Sequence, residues 1–236
     1  MNVLTDKTDR EYYTISHRGT CRDSNQDRIL CQPELDFFGI ADGMGGLVHG
    51  ERAAQITVKA MELAVREAKR EKEEEKDPEA LAEKLKDSLE KISTYMFQRG
   101  NGRGAIRYGA AFTGCILLED RAWWIQMGDV RGYHFSKKEQ KLTQITKDHA
   151  LENGVLTRFV GMGELGEAEL YTSTFQAGEE ILICSDGLYK ELQDNKIRQI
   201  LQKEKEPRQA GRELIRQGNL AGGRDNLSLV LLKRKG

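Results

Sequence analysis

The sequence contains few prolines and cysteines, three and four respectively, and it has no long apolar run. No apolar stretch approaches the roughly 20 residues that span a bilayer, and the segment Met1 to Arg10 is too polar for a secretory signal. The cysteines form no CxxC pair of the kind that binds zinc or acts as a redox couple. Three of them, Cys31, Cys115 and Cys184, lie in or beside apolar runs, where a reduced cysteine packs as a small hydrophobe. We therefore expect a cytoplasmic protein that does not act at a membrane.

An excess of charge of either sign is also missing, because 37 basic residues balance 38 acidic ones and no basic stripe is present. This balance argues against nucleic acid as a partner. Hydrophobic residues make up 38% of the chain and charged residues 32%, which is typical of globular proteins. Neither an internal repeat nor a Pro/Gly/Ser-rich linker interrupts the sequence. We therefore expect residues 1–236 to form one domain, and the protein to be a monomer.

Apart from a helical hairpin and two helices near the end of the sequence, most of the chain favours short strands. Apolar residues recur at helical spacing on both sides of a charged run from Glu67 to Asp77, which predicts a helical hairpin. Asp77 followed by Pro78 is typical of a helix start. The Asp side chain accepts hydrogen bonds from backbone N–H groups of the first turn, and Pro has no N–H group that would require a partner. Two more helices are predicted at Asp194–Lys203 and Pro207–Gln217.

Five β-prone runs are bounded by Gly, Asp or Asn, which predicts strands. They are Phe37–Ala41, Phe112–Leu118, Ala122–Met127, Ile181–Cys184 and Leu227–Leu232. Strands that precede and follow a helical hairpin favour an α+β domain of antiparallel sheets with helices layered outside them.

Aspartates lie at the ends of these predicted strands. Asp42-Gly43 and Asp186-Gly187 each follow an apolar strand directly, Asp129 follows Met127-Gly128, and Asp225 precedes the last strand. A single Asp-Gly pair is typical of a hairpin turn, but helix-like segments, not returning strands, come after both pairs here. Carboxylates that converge at a sheet end repel one another unless cations lie between them. Mg²⁺ and Mn²⁺ prefer such oxygen ligands, so we expect a divalent metal site.

A second polar cluster, residues 19–27, contains Arg22 close to two aspartates. Such an arginine can simply form a surface ion pair. It can also bind a phosphate, because the planar guanidinium donates two parallel hydrogen bonds.

Taken in order, these segments resemble the motifs of the metal-dependent protein phosphatase family, the type 2C serine/threonine phosphatases, over nearly the whole chain. The matching segments are Arg22-x-x-Asn25-Gln26-Asp27, Asp42-Gly43-Met44-Gly45-Gly46, Gly50-Glu51, Gly128-Asp129-Val130-Arg131, Thr146-Lys147-Asp148-His149, Leu156-Thr157-Arg158, Ser185-Asp186-Gly187-Leu188 and Asp225-Asn226. The sequence Asp-Gly-Met-Gly-Gly of the second motif resembles that of bacterial members of the family. The resemblance implies a four-layer α-β-β-α sandwich of two antiparallel sheets flanked by helix pairs.

The resemblance also implies two Mn²⁺ or Mg²⁺ ions in a cleft. Asp42 would bridge both ions, the carbonyl of Gly43 would bind one of them, and Asp186 and Asp225 would bind the other. Asp129 resembles a residue that helps to hold a weaker third ion.

Three further residues complete the implied site. Arg22 would bind the substrate phosphate, and with Asp42 it is the predicted catalytic pair. Asp27 would hold water bound to the ions, and Gln26 occupies a position that is usually acidic or amide-bearing. The implied activity is hydrolysis of phosphoserine and phosphothreonine in proteins by a metal-activated water, in opposition to a bacterial serine/threonine kinase of the eukaryotic type.

One departure from the family concerns the flap subdomain beside the active site, which should be greatly reduced because only six residues separate His149 from Leu156. We expect weaker binding of the third ion at Asp129 as a result. A non-catalytic module that binds phosphoproteins is an alternative function, although none of the principal aspartates is lost. An unrelated two-metal hydrolase is disfavoured because the four histidines are scattered.

Overall fold

Ten β-strands and five α-helices lie within the residues that the computed structural model describes, 9–44, 49–70, 77–101 and 108–236. The strands are β1 (Arg10–His17), β2 (Arg28–Gln32), β3 (Phe37–Met44), β4 (Gly109–Leu118), β5 (Arg121–Met127), β6 (Arg131–Ser136), β7 (Lys141–Gln144), β8 (Glu169–Thr174), β9 (Glu179–Cys184) and β10 (Leu227–Arg234). The helices are α1 (His49–Arg70), α2 (Pro78–Met96), α3 (Asp186–Tyr189), α4 (Asp194–Lys203) and α5 (Pro207–Ala221).

The strands form two antiparallel five-stranded sheets. The first has the order β1-β10-β9-β6-β7 and the second the order β2-β3-β4-β5-β8. In the first sheet β1 pairs with β10 along its whole length, from Arg10 opposite Arg234 to His17 opposite Leu227. The two ends of the described chain are therefore joined in one sheet.

Three apolar layers hold the sandwich together. Between the sheets lies a core that includes Ile40, Trp124, Ile183 and Val230, all fully buried. A second core joins α1 and α2 to the second sheet, and a third joins α3, α4 and α5 to the first sheet. This arrangement confirms the predicted α+β fold, a four-layer α-β-β-α sandwich.

The predicted elements are found close to their expected bounds. Helix α4 has the predicted limits, and the side chain of Asp77 caps α2 by accepting hydrogen bonds from the backbone N–H groups of Glu79 (3.0 Å) and Ala80 (3.3 Å). Helix α5 extends four residues beyond the predicted Gln217. Two predicted segments, the turn after α1 (71–76) and Gly45-Gly46, lie outside the described residues.

Strand β3 continues past its predicted end at Ala41. It keeps pairing with β4, with Asp42 opposite Ala111 and Met44 opposite Gly109. Asp42 therefore occupies a rung of the sheet and does not lie in a loop beyond it, which fixes its backbone more firmly than the sequence indicated.

No helix in the described ranges is long and apolar enough to cross a membrane. All four cysteines are free thiols, and burial raises the pKa of the Cys115 and Cys184 thiols above the ordinary value.

Replacing a fully buried leucine of the α2 layer should destabilise the protein strongly. Leu85 packs in the core between α2 and the second sheet, so Leu85→Ala should lower the free energy of unfolding by about 2–5 kcal/mol. Leu63→Ala is the matched control, because Leu63 on α1 is 60% exposed. Urea denaturation measures both, and an equal loss in the two variants would contradict the assigned helix packing.

Candidate metal centre and phosphate site

The ends of both sheets border a cleft of about 840 Å³. Seven of the eight predicted site residues line it: Arg22, Gln26, Asp42, Gly43, Asp129, Asp186 and Asp225. The eighth, Asp27, is a buried residue near the cleft. Segments that are far apart in the sequence are thus brought together as predicted, while the chemical roles of the residues stay predictions.

Asp42 is surrounded by negative charge. Desolvation raises the pKa of its carboxyl group well above the ordinary value, and the charges of Asp27 and Asp186 raise it further. Smaller contributions come from Asp129 and Asp225 in the same direction. A cation in the cleft would reverse this penalty, since an opposite charge favours the ionised carboxylate.

The carboxylate of Asp27 accepts a hydrogen bond from the hydroxyl of Ser185, which donates to Oδ2 at 2.8 Å. Burial and the charges of Asp186 and Asp225 raise the pKa of Asp27 to about 6, although hydrogen bonds from Ser228 and Ser185 act against the shift. Two buried carboxylate oxygens, Oδ1 of Asp27 and Oδ1 of Asp186, accept no hydrogen bond. Buried oxygens without a donor are the atoms that a cation or its bound water would satisfy.

The donor set fits hard divalent ions, because it consists of carboxylates and backbone carbonyls. Among the described residues no three acidic, histidine or cysteine side chains form a ready ligand cage. Two carboxylates instead contact basic groups, Asp225 with Arg22 and Asp186 with Lys190. A cage is not required for Mg²⁺, which keeps several waters and uses one or two carboxylates.

Arg22 lies at the cleft with its guanidinium 2.6 Å from Oδ2 of Asp225. The hydrogen bond to Asp225 raises the pKa of Arg22, although desolvation opposes the shift. Because 54% of the Arg22 side chain is exposed, its remaining N–H donors can reach an incoming phosphate. Both interpretations of the sequence, an ion pair and a phosphate contact, are compatible with this geometry, since within the described residues the only hydrogen bond of the Arg22 side chain is the one to Asp225.

Asn226 fixes the loop that carries Arg22. Its side-chain oxygen accepts a hydrogen bond from the backbone N–H of Gln26 (2.8 Å), and its amide donates to the carbonyls of Arg18 (2.8 Å) and Ser24 (2.9 Å). Sequence reasoning noted Asn226 only as a neighbour of Asp225. The available signal was the side-chain amide of Asn226, which can donate and accept hydrogen bonds at the same time and can therefore join two segments.

Close backbone approaches place two of the aspartates. A Cβ atom on Gly187 would lie 2.2 Å from the carbonyl oxygen of Asn226, and one on Gly43 would lie 2.1 Å from that of Gly50. Neither position admits a side chain without backbone movement. In both Asp-Gly pairs the glycine therefore permits a close backbone contact that a larger residue would prevent.

Asp129 is positioned by an aromatic and ionic network. The hydroxyl of Tyr189 donates to the backbone oxygen of Asp129 (3.0 Å) and contacts Oδ2 (3.3 Å). Arg131 lies 3.7 Å from the centre of the Tyr189 ring and donates three hydrogen bonds to the Asp148 carboxylate. Burial raises the pKa of Asp129 to about 6, and the charge of Asp186 adds to the shift.

The segment after His149 is a tight hairpin. Ala150 forms a bridge with Leu156, and the N–H of Leu151 donates to the carbonyl of Val155 at 2.9 Å. Gly154 occupies the left-handed region with φ of 81°. The six connecting residues thus form one turn beside the cleft, in agreement with the predicted reduction of the flap.

Lys190 was missed by sequence reasoning. Its ammonium lies 2.5 Å from Oδ2 of Asp186 and 4.0 Å from Oδ2 of Asp129. The available signal was its spacing, four residues after Asp186 on a helical segment, which places the two side chains on one face.

Comparison with known proteins identifies the class. The sequence profile of the family described as protein phosphatase 2C matches residues 16–226. The serine/threonine phosphatase stp of Listeria monocytogenes is 24% identical over 239 residues, which cover 92% of this chain and 93% of that protein. PstP of Mycobacterium tuberculosis is 28% identical over 238 residues, covering 93% of this chain and 44% of that protein.

Solved structures give the same result. PppA, described as a regulatory component of the type VI secretion system in Pseudomonas aeruginosa, has a TM-score of 0.84 at 26% identity, covering 95% of this chain and 97% of that one. The catalytic domain of PstP in complex with two manganese ions has a TM-score of 0.81 at 26% identity, covering 96% and 99%.

The chain belongs to the protein phosphatase 2C family. The predictions of a bacterial type 2C phosphatase and of a protein serine/threonine phosphatase as the enzyme class are confirmed.

Without divalent ions, the stability of the protein should depend on pH through Asp27. Its native pKa of about 6 lies above the ordinary 3.8, so the native state binds more protons than the unfolded state between these values. This stabilising contribution is present below about 3.8 and is lost as the pH rises through about 6. Asp27→Asn should therefore gain melting temperature relative to wild type as the pH rises across that window.

Thermal denaturation with a chelator present measures this effect. Asp87→Asn is the control, because Asp87 is exposed on α2. A difference in melting temperature between the wild type and Asp27→Asn that stays constant with pH would contradict the raised pKa.

Proposed function

We propose that this protein hydrolyses phosphoserine and phosphothreonine in proteins with the help of two Mn²⁺ or Mg²⁺ ions. The observation that carries the proposal is the convergence of Asp42, Asp186 and Asp225 in one cleft, beside an arginine with free donors. Carboxylates placed together in this way favour bound cations. Membership of the family and the two manganese ions of the related PstP structure support the same choice of cofactor.

When bound, the two ions would neutralise charge on the phosphoryl group and activate a water for attack. Asp42, with the carbonyl of Gly43, would hold one ion, and Asp186 and Asp225 would hold the other together with Asp42. Asp27 and Gln26 would orient water on the inner side of the cleft. The buried Oδ1 atom of Asp27 accepts no hydrogen bond in the described residues, so it could accept one from such a water.

Arg22 would bind and orient the phosphoryl group. Its ion pair with Asp225 fixes one edge of the guanidinium, so the remaining donors meet the substrate with little loss of side-chain freedom. No protein nucleophile is needed, because the attacking group is water. The three buried or half-buried cysteines carry thiols, with the pKa of Cys31 raised to about 11 by burial.

The physiological substrates would be phosphoproteins, in opposition to a bacterial serine/threonine kinase of the eukaryotic type. The hairpin of residues 150–156 is short, and Gly154, Val155 and Leu156 line the cleft, which would leave room for a phosphorylated segment on a folded protein. We further propose that residues 1–236 act as a single catalytic domain, as a monomer, in the cytoplasm.

Removing either of two carboxylates should abolish metal-dependent turnover. Asp42→Asn and Asp225→Asn should each lower kcat on a phosphothreonine peptide with Mn²⁺ by at least about 100-fold, because charge stabilisation of the transition state is lost. Release of inorganic phosphate measures the rate, and Asp87→Asn should match wild type.

Each outcome of this experiment has a distinct meaning. If the wild type is folded, binds Mn²⁺ and releases no phosphate from any phosphopeptide, the enzyme assignment fails and a phosphoprotein-binding module takes its place. If the two variants keep wild-type rates, the cleft is not the catalytic site.

Loss of the guanidinium should act mainly on substrate binding. Arg22→Ala should reduce kcat/KM by roughly 10- to 100-fold, the size expected for charged hydrogen bonds, with most of the change in KM. Arg22→Lys should recover only part of the loss, because a lysine cannot form two parallel bonds. Unchanged values of both kcat and KM in Arg22→Ala would show that Arg22 serves only its ion pair with Asp225.

A further inference from the structure

Asp129 and Asp186 both contact the ammonium of Lys190. The Nζ atom is 2.5 Å from Oδ2 of Asp186 and 4.0 Å from Oδ2 of Asp129. Lys190 also lies on the boundary between the main cleft and a neighbouring cavity of about 470 Å³. A positive charge of the protein itself therefore lies between the two carboxylates.

The family resemblance implies a weaker third ion at Asp129, and this ammonium lies 4.0 Å from Oδ2 of that residue. A Mg²⁺ ion bound to both carboxylates would lie about 2.0–2.1 Å from an oxygen atom of each. Lys190 Nζ already lies within hydrogen-bonding distance of one of these oxygens. The ion and the ammonium cannot share this space, and their like charges would repel each other.

The surroundings of Asp129 also disfavour a metal. Its Oδ2 atom is contacted by the hydroxyl of Tyr189 at 3.3 Å, and the side chain is only 9% exposed. Tyr189 is itself fixed by Arg131, whose guanidinium stacks on the ring. A metal at Asp129 would have to displace donors that are already in place.

Lys190 is held in this position by local structure. It follows α3 directly, and its backbone N–H donates to the carbonyl of Asp186 at 2.9 Å, which closes the helical turn. The four-residue spacing then places its side chain beside that of Asp186. The same helical turn therefore positions both the Lys190 ammonium and the Asp186 carboxylate.

We propose that Lys190 replaces the third divalent ion, so that this protein carries a fixed ammonium between Asp129 and Asp186 and binds two ions in the remainder of the cleft. The inference rests on the proposed two-ion site. It assigns Lys190 as a positioning residue and limits Asp129 to a structural partner. Weak binding of a third ion at Asp129 would thus follow from the Lys190 side chain within the cleft, in addition to the short hairpin of residues 150–156.

The number of bound ions tests this proposal without any measurement of activity. Equilibrium dialysis against Mn²⁺, followed by elemental analysis, should give two ions per chain for the wild type and three for Lys190→Met. The added ion should bind at least about tenfold more tightly in Lys190→Met than any third ion in the wild type, because a like charge has been removed. The double variant Lys190→Met/Asp129→Asn should return to two.

Two further variants separate charge from other effects. Lys190→Arg keeps the positive charge and should bind the same number of ions as the wild type. Lys203→Met removes a lysine that is 83% exposed and should change nothing. Circular dichroism confirms that each variant is folded.

The gain of an ion on removing Lys190 is the decisive quantity. If Lys190→Met and the wild type bind equal numbers of ions with equal affinities, or if the wild type binds three comparable ions, the replacement by Lys190 is refuted. The absolute number in the wild type tests the two-ion site separately: a count below two contradicts the proposed function, whereas the difference between variants still decides the role of Lys190.

Discussion

The repulsion among carboxylates gathered at the ends of two sheets is the constraint on which the rest of this cleft depends. Asp42, Asp27 and Asp129 all have pKa values raised by desolvation and by neighbouring acids. Such a cluster costs folding free energy unless positive charge or hydrogen-bond donors surround it. The neighbouring groups supply both, as Arg22 and Lys190 contribute charge while Ser185 and Tyr189 contribute hydroxyl donors.

The framework that withstands this repulsion consists of sheet rungs and close backbone contacts. Asp42 lies on a paired rung of β3, and Asp186 begins a helix whose next residue, Gly187, touches the backbone of Asn226. Asn226 in turn binds the loop that carries Arg22. Because every functional segment is tied to a strand or to a neighbour of a strand, the carboxylates cannot move apart to relieve their repulsion. Under the proposed function, this rigid placement of like charges would favour cations in the cleft.

Much of this arrangement could be predicted from local sequence, and the remainder depended on contacts between distant segments. Strand-end aspartates, the Asp77 cap and the limits of α4 follow from short-range patterns. The extension of β3 past Ala41 could not be seen, because its partner strand β4 begins more than 60 residues later, at Gly109. The roles of Asn226 and Lys190 were missed because they depend on tertiary contacts: the Asn226 amide joins two loops, and the Lys190 ammonium also lies near Asp129, which is distant in the sequence.

The side of the cleft near Asp129 differs in kind from the side near Asp42. Around Asp129, groups of the chain itself act against the raised pKa, namely the ammonium of Lys190 and the hydroxyl of Tyr189. Around Asp42, none of the hydrogen bonds or ion pairs found in the described residues supplies a basic partner, and desolvation and the neighbouring aspartates raise its pKa well above the ordinary value. A fixed cation suits a carboxylate that only has to be held in place. Under the proposed function, an exchangeable ion would suit a carboxylate that has to present water to a substrate, and the two kinds of positive charge would then divide the cleft into a structural half and a chemical half.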